Sequence, residues 1–143
     1  MDELLKYITK YCSFLYGEFG FKILSSSSSE SFGNAAIELG VGDFNLQFIR
    51  DKGQIFLDFK SNYINEKYPW YSMDIIRQAI LGEKEYKGLM DRENAEFLHK
   101  NFPAIVNMFK PDSAAATVRQ LKALEKIRSK VIFKTQTACR PVN

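Results

Sequence analysis

Asp43-Phe44-Asn45-Leu46-Gln47-Phe48-Ile49-Arg50-Asp51-Lys52-Gly53-Gln54-Ile55-Phe56-Leu57-Asp58-Phe59 carries two apolar alternations joined by a turn. In its first half Phe44, Leu46 and Phe48 alternate with Asp43, Asn45 and Gln47. In its second half Ile55, Leu57 and Phe59 alternate with Gln54, Phe56 and Asp58. A two-residue apolar period marks a strand with one buried face. The joint Asp51-Lys52-Gly53 predicts a hairpin: Asp51 and Lys52 suit a type I turn, and Gly53 supplies the positive φ of a following bulge.

Upstream, Ala35, Ile37 and Leu39 alternate in the same way and reach Phe44 through the short connector Gly40-Val41-Gly42. A further strand is expected over 19–24, with Phe19, Phe21 and Ile23 on one face. The run from Ser25 to Ser29, followed by Glu30 and Ser31, carries nothing to pack a core and reads as a mobile loop within a long hairpin connection. Residues 2–16 carry Leu4, Leu5, Ile8, Tyr11, Cys12 and Leu15 at helical spacing, with Gly17 or Gly20 as the stop.

Downstream, residues 61–71 are polar and aromatic. A helix follows, opened by Pro69 or capped by Ser72, with Met73, Ile76, Ala79 and Ile80 as its stripe and Gly82 as its end. Asp91 caps the next helix, whose apolar face carries Phe97, Leu98, Phe102, Ile105, Val106 and Phe109. Pro103 lies inside that pattern and predicts a kink or break near Asn101, with a second short helix to Phe109. The last helix is expected from Ser113 to Val131, favoured by Ala114, Ala115 and Ala116, with a frayed tail over 134–143. Because all connectors but the serine run are short, the expected fold is a single α+β domain over 1–143. It has a four-stranded antiparallel meander sheet (about 19–59), an N-terminal helix, and three to four C-terminal helices (about 69–132) packed on one face.

The chain is sparing in chemistry. One histidine (His99), two distant cysteines (Cys12 and Cys139) and 17 scattered acidic residues form no spaced catalytic or ligand set. Gly40-Val41-Gly42 lacks the helix and the Lys-Ser/Thr pair of a phosphate loop. No enzymatic activity, cofactor or metal is therefore expected. The cysteine spacing suggests reduced thiols, and the acidic start Met1-Asp2-Glu3 suggests the cytoplasm. No stretch is long and apolar enough for a membrane span, and no internal repeat is visible.

Two surfaces stand out. The first joins Tyr63, Tyr68, Trp70 and Tyr71, aromatic residues of the kind favoured in protein interfaces, with Asp58, a carboxylate that interrupts an aromatic strand. Packing of Trp70 against the sheet would account for part of the same cluster. The second is a basic arm. Residues 113–143 hold seven Lys/Arg against one Asp/Glu in a chain of net charge +3. Arg119, Lys122, Lys126, Arg128 and Lys130 of that arm would meet nucleic-acid phosphates or an acidic protein, or simply form a solvated helix face.

The order of elements, the hairpin Phe48-Ile49-Arg50-Asp51-Lys52-Gly53-Gln54-Ile55-Phe56-Leu57-Asp58 and the segment Trp70-Tyr71-Ser72-Met73-Asp74-Ile75-Ile76 resemble a layout of small uncharacterised bacterial α+β families. These include some immunity proteins of polymorphic toxin systems, where an F-x-R-D-K/R-G turn and a tryptophan-led helix recur. The resemblance spans residues 1–82 and rests on turn and core positions, so it carries over no functional residue. It implies binding without catalysis, as when an immunity protein covers or holds a toxin. The expected function is a non-enzymatic protein-binding module, with immunity-type inhibition as one form. A nucleic-acid-associated module using the basic helix and a small-ligand binder are the alternatives.

Overall fold

The alternation over residues 43–59 becomes a hairpin in the computed structural model, which describes residues 1–30, 33–82 and 87–139, with side chains as far as Val131. Strand β3 (Phe44–Asp51) pairs antiparallel with β4 (Gln54–Ser61), in a register running from Phe44↔Ser61 to Asp51↔Gln54. Lys52 (φ 51°) and Gly53 (φ 81°) are both left-handed. The turn is thus the two-residue I′ form rather than the expected type I turn with a bulge. That form matches the twist of the flanking strands. Lys52 N–H donates to Asn34 Oδ1 at 3.0 Å, which supports a non-glycine residue in this conformation.

Among the described residues five strands follow one another in order across the sheet, β1-β2-β3-β4-β5, every neighbour antiparallel. The meander expected from the sequence is present, with β5 (Tyr71–Ser72) added to β4 through Asp58↔Ser72 and Phe59↔Tyr71. Strand β2 is Ala35–Gly40. Strand β1 corrects the reading of the serine run: it spans Lys22–Ser28, so Ser25 to Ser28 are strand, not loop. A ladder is made by backbone groups, and a strand exposed on both faces has no core to fill. Serine therefore serves it as well as valine would in water. Phe21, just before β1, is buried, but Ile23 is not.

Helices cover one face. Phe44, Leu46, Phe48, Leu57 and Phe59 point into the core, joined by Ile37 and Leu39. Helix α4 (Arg92–Met108) places Phe102 among Phe14, Phe19, Phe21 and Phe44, with ring centroids 4.6–6.1 Å away. Phe109 stacks on Phe44 at 4.7 Å. The opposite face carries the cross-strand row Ser25, Glu38, Gln47, Asp58, Ser72.

Three helical boundaries differ from expectation. The N-terminal helix is divided into α1 (Asp2–Tyr11) and α2 (Phe14–Gly17) at Cys12. A straight helix would carry Phe14 away from the stripe of Leu4, Ile8 and Leu15, whereas the break lets all four be buried. Helix α4 runs unbroken through Pro103. Pro103 is exposed, so the carbonyl it leaves without an amide partner lies on the wet side of the helix, where water can serve it. Helix α5 (Ala114–Cys139) continues beyond Val131 into the expected frayed tail, and residues 140–143 lie outside the described residues.

Helix α3 (Met73–Leu81) ends as read: Gly82 takes the left-handed conformation (φ 65°) and its N–H bonds the Gln78 carbonyl. Asp91 caps α4, accepting from Asn94 N–H at 2.8 Å. Buried Arg77 joins the two helices, donating to Asn94 Oδ1 at 2.8 Å and lying 4.9 Å from the Phe97 ring centre.

Candidate functional site

The segment between β4 and α3 brings part of each expected surface to one place. Its turns are set by local bonds: Ser61 Oγ accepts from Tyr63 N–H at 3.1 Å, and Asn62 Nδ2 donates to the Gly42 carbonyl and Asn45 Oδ1 at 2.8 and 2.9 Å. The chain then crosses to β5, which pairs with β4, and enters α3, which packs against α5.

At this seam the charges are paired in two sets. Tyr71 is buried and its hydroxyl donates to Glu66 Oε2 at 2.6 Å. Lys122 of α5 closes on the other carboxylate oxygen of Glu66. Burial works to raise the Glu66 pKa, but the bonds from Lys122 and Tyr71 outweigh it and hold the carboxyl below its ordinary value. Burial, then the Glu66 bond, pushes the Tyr71 hydroxyl well upward, so it remains a donor.

In the second set, Arg128 Nη1 donates to Asp74 Oδ2 at 2.8 Å, Asp74 Oδ1 at 3.0 Å and Ser72 Oγ at 2.9 Å. Ser72 in turn donates to Asp74, which explains why Ser72, though at the N-cap of α3, makes no side-chain cap bond. Asp58 lies beside this pair. Its desolvation, reinforced by the Asp74 carboxylate and partly offset by Arg128, raises its pKa to about 6. Glu125 is also pushed up, chiefly by burial, with Arg128 pulling the other way.

Above these pairs an open trough of about 630 Å³ lies between Tyr68 and α5, lined on the helix side by Lys122, Glu125, Lys126, Arg128 and Lys130. Tyr68 is 77% exposed. Lys126 and Lys130 are exposed and make no ion pair among the described residues. The trough can therefore offer an aromatic ring with a polar tip and two uncommitted cations on a wall fixed by Arg128–Asp74 and Lys122–Glu66.

The expected site residues divide accordingly. Tyr68, whose ring has Lys67 Nζ 5.5 Å from its centre, is exposed, and Lys126 and Lys130 are exposed and unpaired among the described residues. Tyr71 is not on the surface; it belongs to the seam because its inward partner is Phe59. Lys122 and Arg128 are held by internal carboxylates. Trp70 is half-buried, with Lys60 Nζ 4.9 Å from its ring centre. Tyr63 lies elsewhere, hydrogen-bonded to Asp43 and lining a separate depression with Lys60 and Pro69. Arg119 is exposed and does not line the trough. His99, which has no partner nearby in sequence, stacks on Phe14 at 4.2 Å and meets Glu18 Oε2 at 2.7 Å. Cys12 is free and buried, and burial raises its thiol pKa to about 12, so it behaves as a small hydrophobe.

Sequence reading missed Glu66 and Asp74. Their partners lie 56 and 54 residues away on α5, and no local pattern signals such a pair. Among the described residues no three His, Cys, Asp or Glu are grouped to hold a metal ion, and no helix is long and apolar enough to cross a membrane. Comparison with protein-family models, with curated proteins and with solved structures gives no match to this chain.

Proposed function

We propose that this chain is a non-enzymatic protein-binding module and that the trough between Tyr68 and α5 receives an acidic protein surface. The observation that carries this reading is the meeting, in one trough, of highly exposed Tyr68 with Lys126 and Lys130, which are unpaired among the described residues. Tyr supplies large contact area at low entropic cost, and exposed cations speed encounter with an acidic partner. Lys122 and Arg128 support the reading in another way. Their internal ion pairs anchor the helix, so the binding face is preorganised. Inhibition of the immunity type, in which an acidic surface of a toxin is covered, is its most concrete form.

The test is capture on the immobilised full chain from nuclease-treated native lysate, beside a Tyr68→Ala, Lys126→Glu, Lys130→Glu variant. A stoichiometric protein held by the parent chain and lost about 100-fold or more by the variant is the expected result, since a central aromatic and two charges together exceed about 3 kcal/mol. A partner retained equally by the variant would overturn the assignment of the trough.

A second reading rests on the exposed cations Arg119, Lys126 and Lys130 spaced along α5. These could follow a phosphate backbone, and that role predicts affinity falling steeply with salt. Capture of nucleic acid alone, released by salt, would favour it over a protein partner.

A further inference from the structure

Strand β1 ends its side of the sheet, and among the described residues no strand pairs with its outer edge. It is exposed along its whole length. Ile23 and Leu24 are 55% and 54% exposed. On the inner edge, Ser25 lies opposite Glu38 and Ser27 opposite Ala36, and Ser29 N–H donates to the Asn34 carbonyl at 2.8 Å. Antiparallel alternation therefore turns the backbone N–H and C=O of Ser26 and Ser28 outward.

Exposed edges are usually blunted by lysine, proline, a bulge or a covering element, because unpaired backbone groups template further strands. Here the irregularity lies between Ile23 and Ser25, and Lys22 stands at the strand's start. Ser25 to Ser28 carry none of these protections. The two ends differ in charge, with Lys22 at one and Glu30 just past the other. Two copies running antiparallel about Ser26 bring the cationic end of each toward the anionic end of the other, whereas parallel copies place like charges together. Facing serines can also exchange hydroxyl hydrogen bonds.

We propose that the β1 edge is an interface with a second copy of this chain, formed by antiparallel β1–β1 pairing centred on Ser26 and steered by Lys22 and Glu30 of opposite copies. The two sheets become one across the seam, and Ile23 and Leu24 lose part of their contact with water. So short an edge buries less area than a standard interface, so the dimer is weak, with a Kd of about 10–100 μM.

Sedimentation equilibrium of the full chain from about 5 to about 500 μM reads this directly, as a mass rising from 16.5 kDa toward twice that value. Ser26→Pro removes an outward N–H without touching the ladder to β2, and is expected to weaken association at least tenfold with the circular dichroism unchanged. Lys22→Glu and Glu30→Lys are each expected to weaken it several-fold, and the two together to restore it. If Ser26→Pro fails to fold, the surface charge variants carry the test. A monomer throughout that range, a dimer indifferent to these substitutions, or single charge variants not rescued by the swap would overturn the proposal.

Discussion

At the β5 end of the sheet, Tyr71 is buried with its hydroxyl on Glu66, and Ser72 accepts from Arg128 and donates to Asp74, so two strand residues are held from α5, from α3 and from the adjoining loop. At the β1 end, seven residues are exposed throughout and held chiefly by the ladder to β2. The shorter strand is the more deeply engaged. A ladder alone suffices to define a strand, since each intramolecular hydrogen bond nets roughly 0.5–1.5 kcal/mol. Side-chain partners decide how much is lost when a residue changes. The same contrast governs what each end can offer to another molecule: side chains at the seam, backbone at the edge.

The largest effect should come from breaking the seam. Asp74→Ala leaves the partly buried Arg128 without its principal carboxylate, and should lower unfolding free energy by about 2–3 kcal/mol. Chemical denaturation of this variant beside Asp74→Ala/Arg128→Met would sharpen the point. The double variant should recover part of the loss, because no unpaired charge remains. Equal losses in the two would mean that the pair contributes by packing alone.

A smaller effect, of opposite sign, is expected at Asp58. Folded Asp58 binds its proton up to about pH 6, compared with an ordinary value of 3.8. The protonated form is thus favoured by folding. The stability it contributes is fully present below pH 3.8 and is lost as pH rises through 6. Asp58→Asn should accordingly stabilise the fold by about 1–2 kcal/mol at pH 8, allowing for residual solvent screening, and should lose that advantage near pH 3.5. A constant difference between the two proteins across thermal melts at those pH values would place the Asp58 carboxylate in water.

The smallest effect belongs to the edge. Ser27→Ala should change stability by no more than about 0.5 kcal/mol, since it buries and unburies nothing. Hydrogen exchange of the parent chain should show β1 amides opening well before those of β3, which is paired on both sides. Protection of β1 equal to that of β3 in dilute solution would erase the contrast between the two ends.

Much of the fold was legible because burial imposes a period. Phe44, Leu46 and Phe48 against Leu57 and Phe59 had to share a face, and the short connectors had to be antiparallel turns. Caps at Asp91 and Gly82 were legible for the same reason: one or two local residues decide them. The serine strand was not, since a two-sided exposed strand has no hydrophobic period to read. Neither was the type I′ turn, whose left-handed Lys52 is supported by Asn34 from the segment just before β2. At the candidate site, Tyr68, Lys126 and Lys130 could be named as surface residues from type and spacing. Their meeting in one trough could not.

An antiparallel α+β meander, the face its core residues occupy and a helix of concentrated positive charge all follow from local periodicity and composition. Which charges are spent depends on how distant segments meet in the folded chain. Folding pairs Glu66 with Lys122 and Asp74 with Arg128, buries Tyr71, sets Tyr68 beside Lys126 and Lys130, and leaves the serine strand exposed among the described residues. Ion pairing depends on distances between segments more than fifty residues apart, and such distances exist only after the chain has closed on itself.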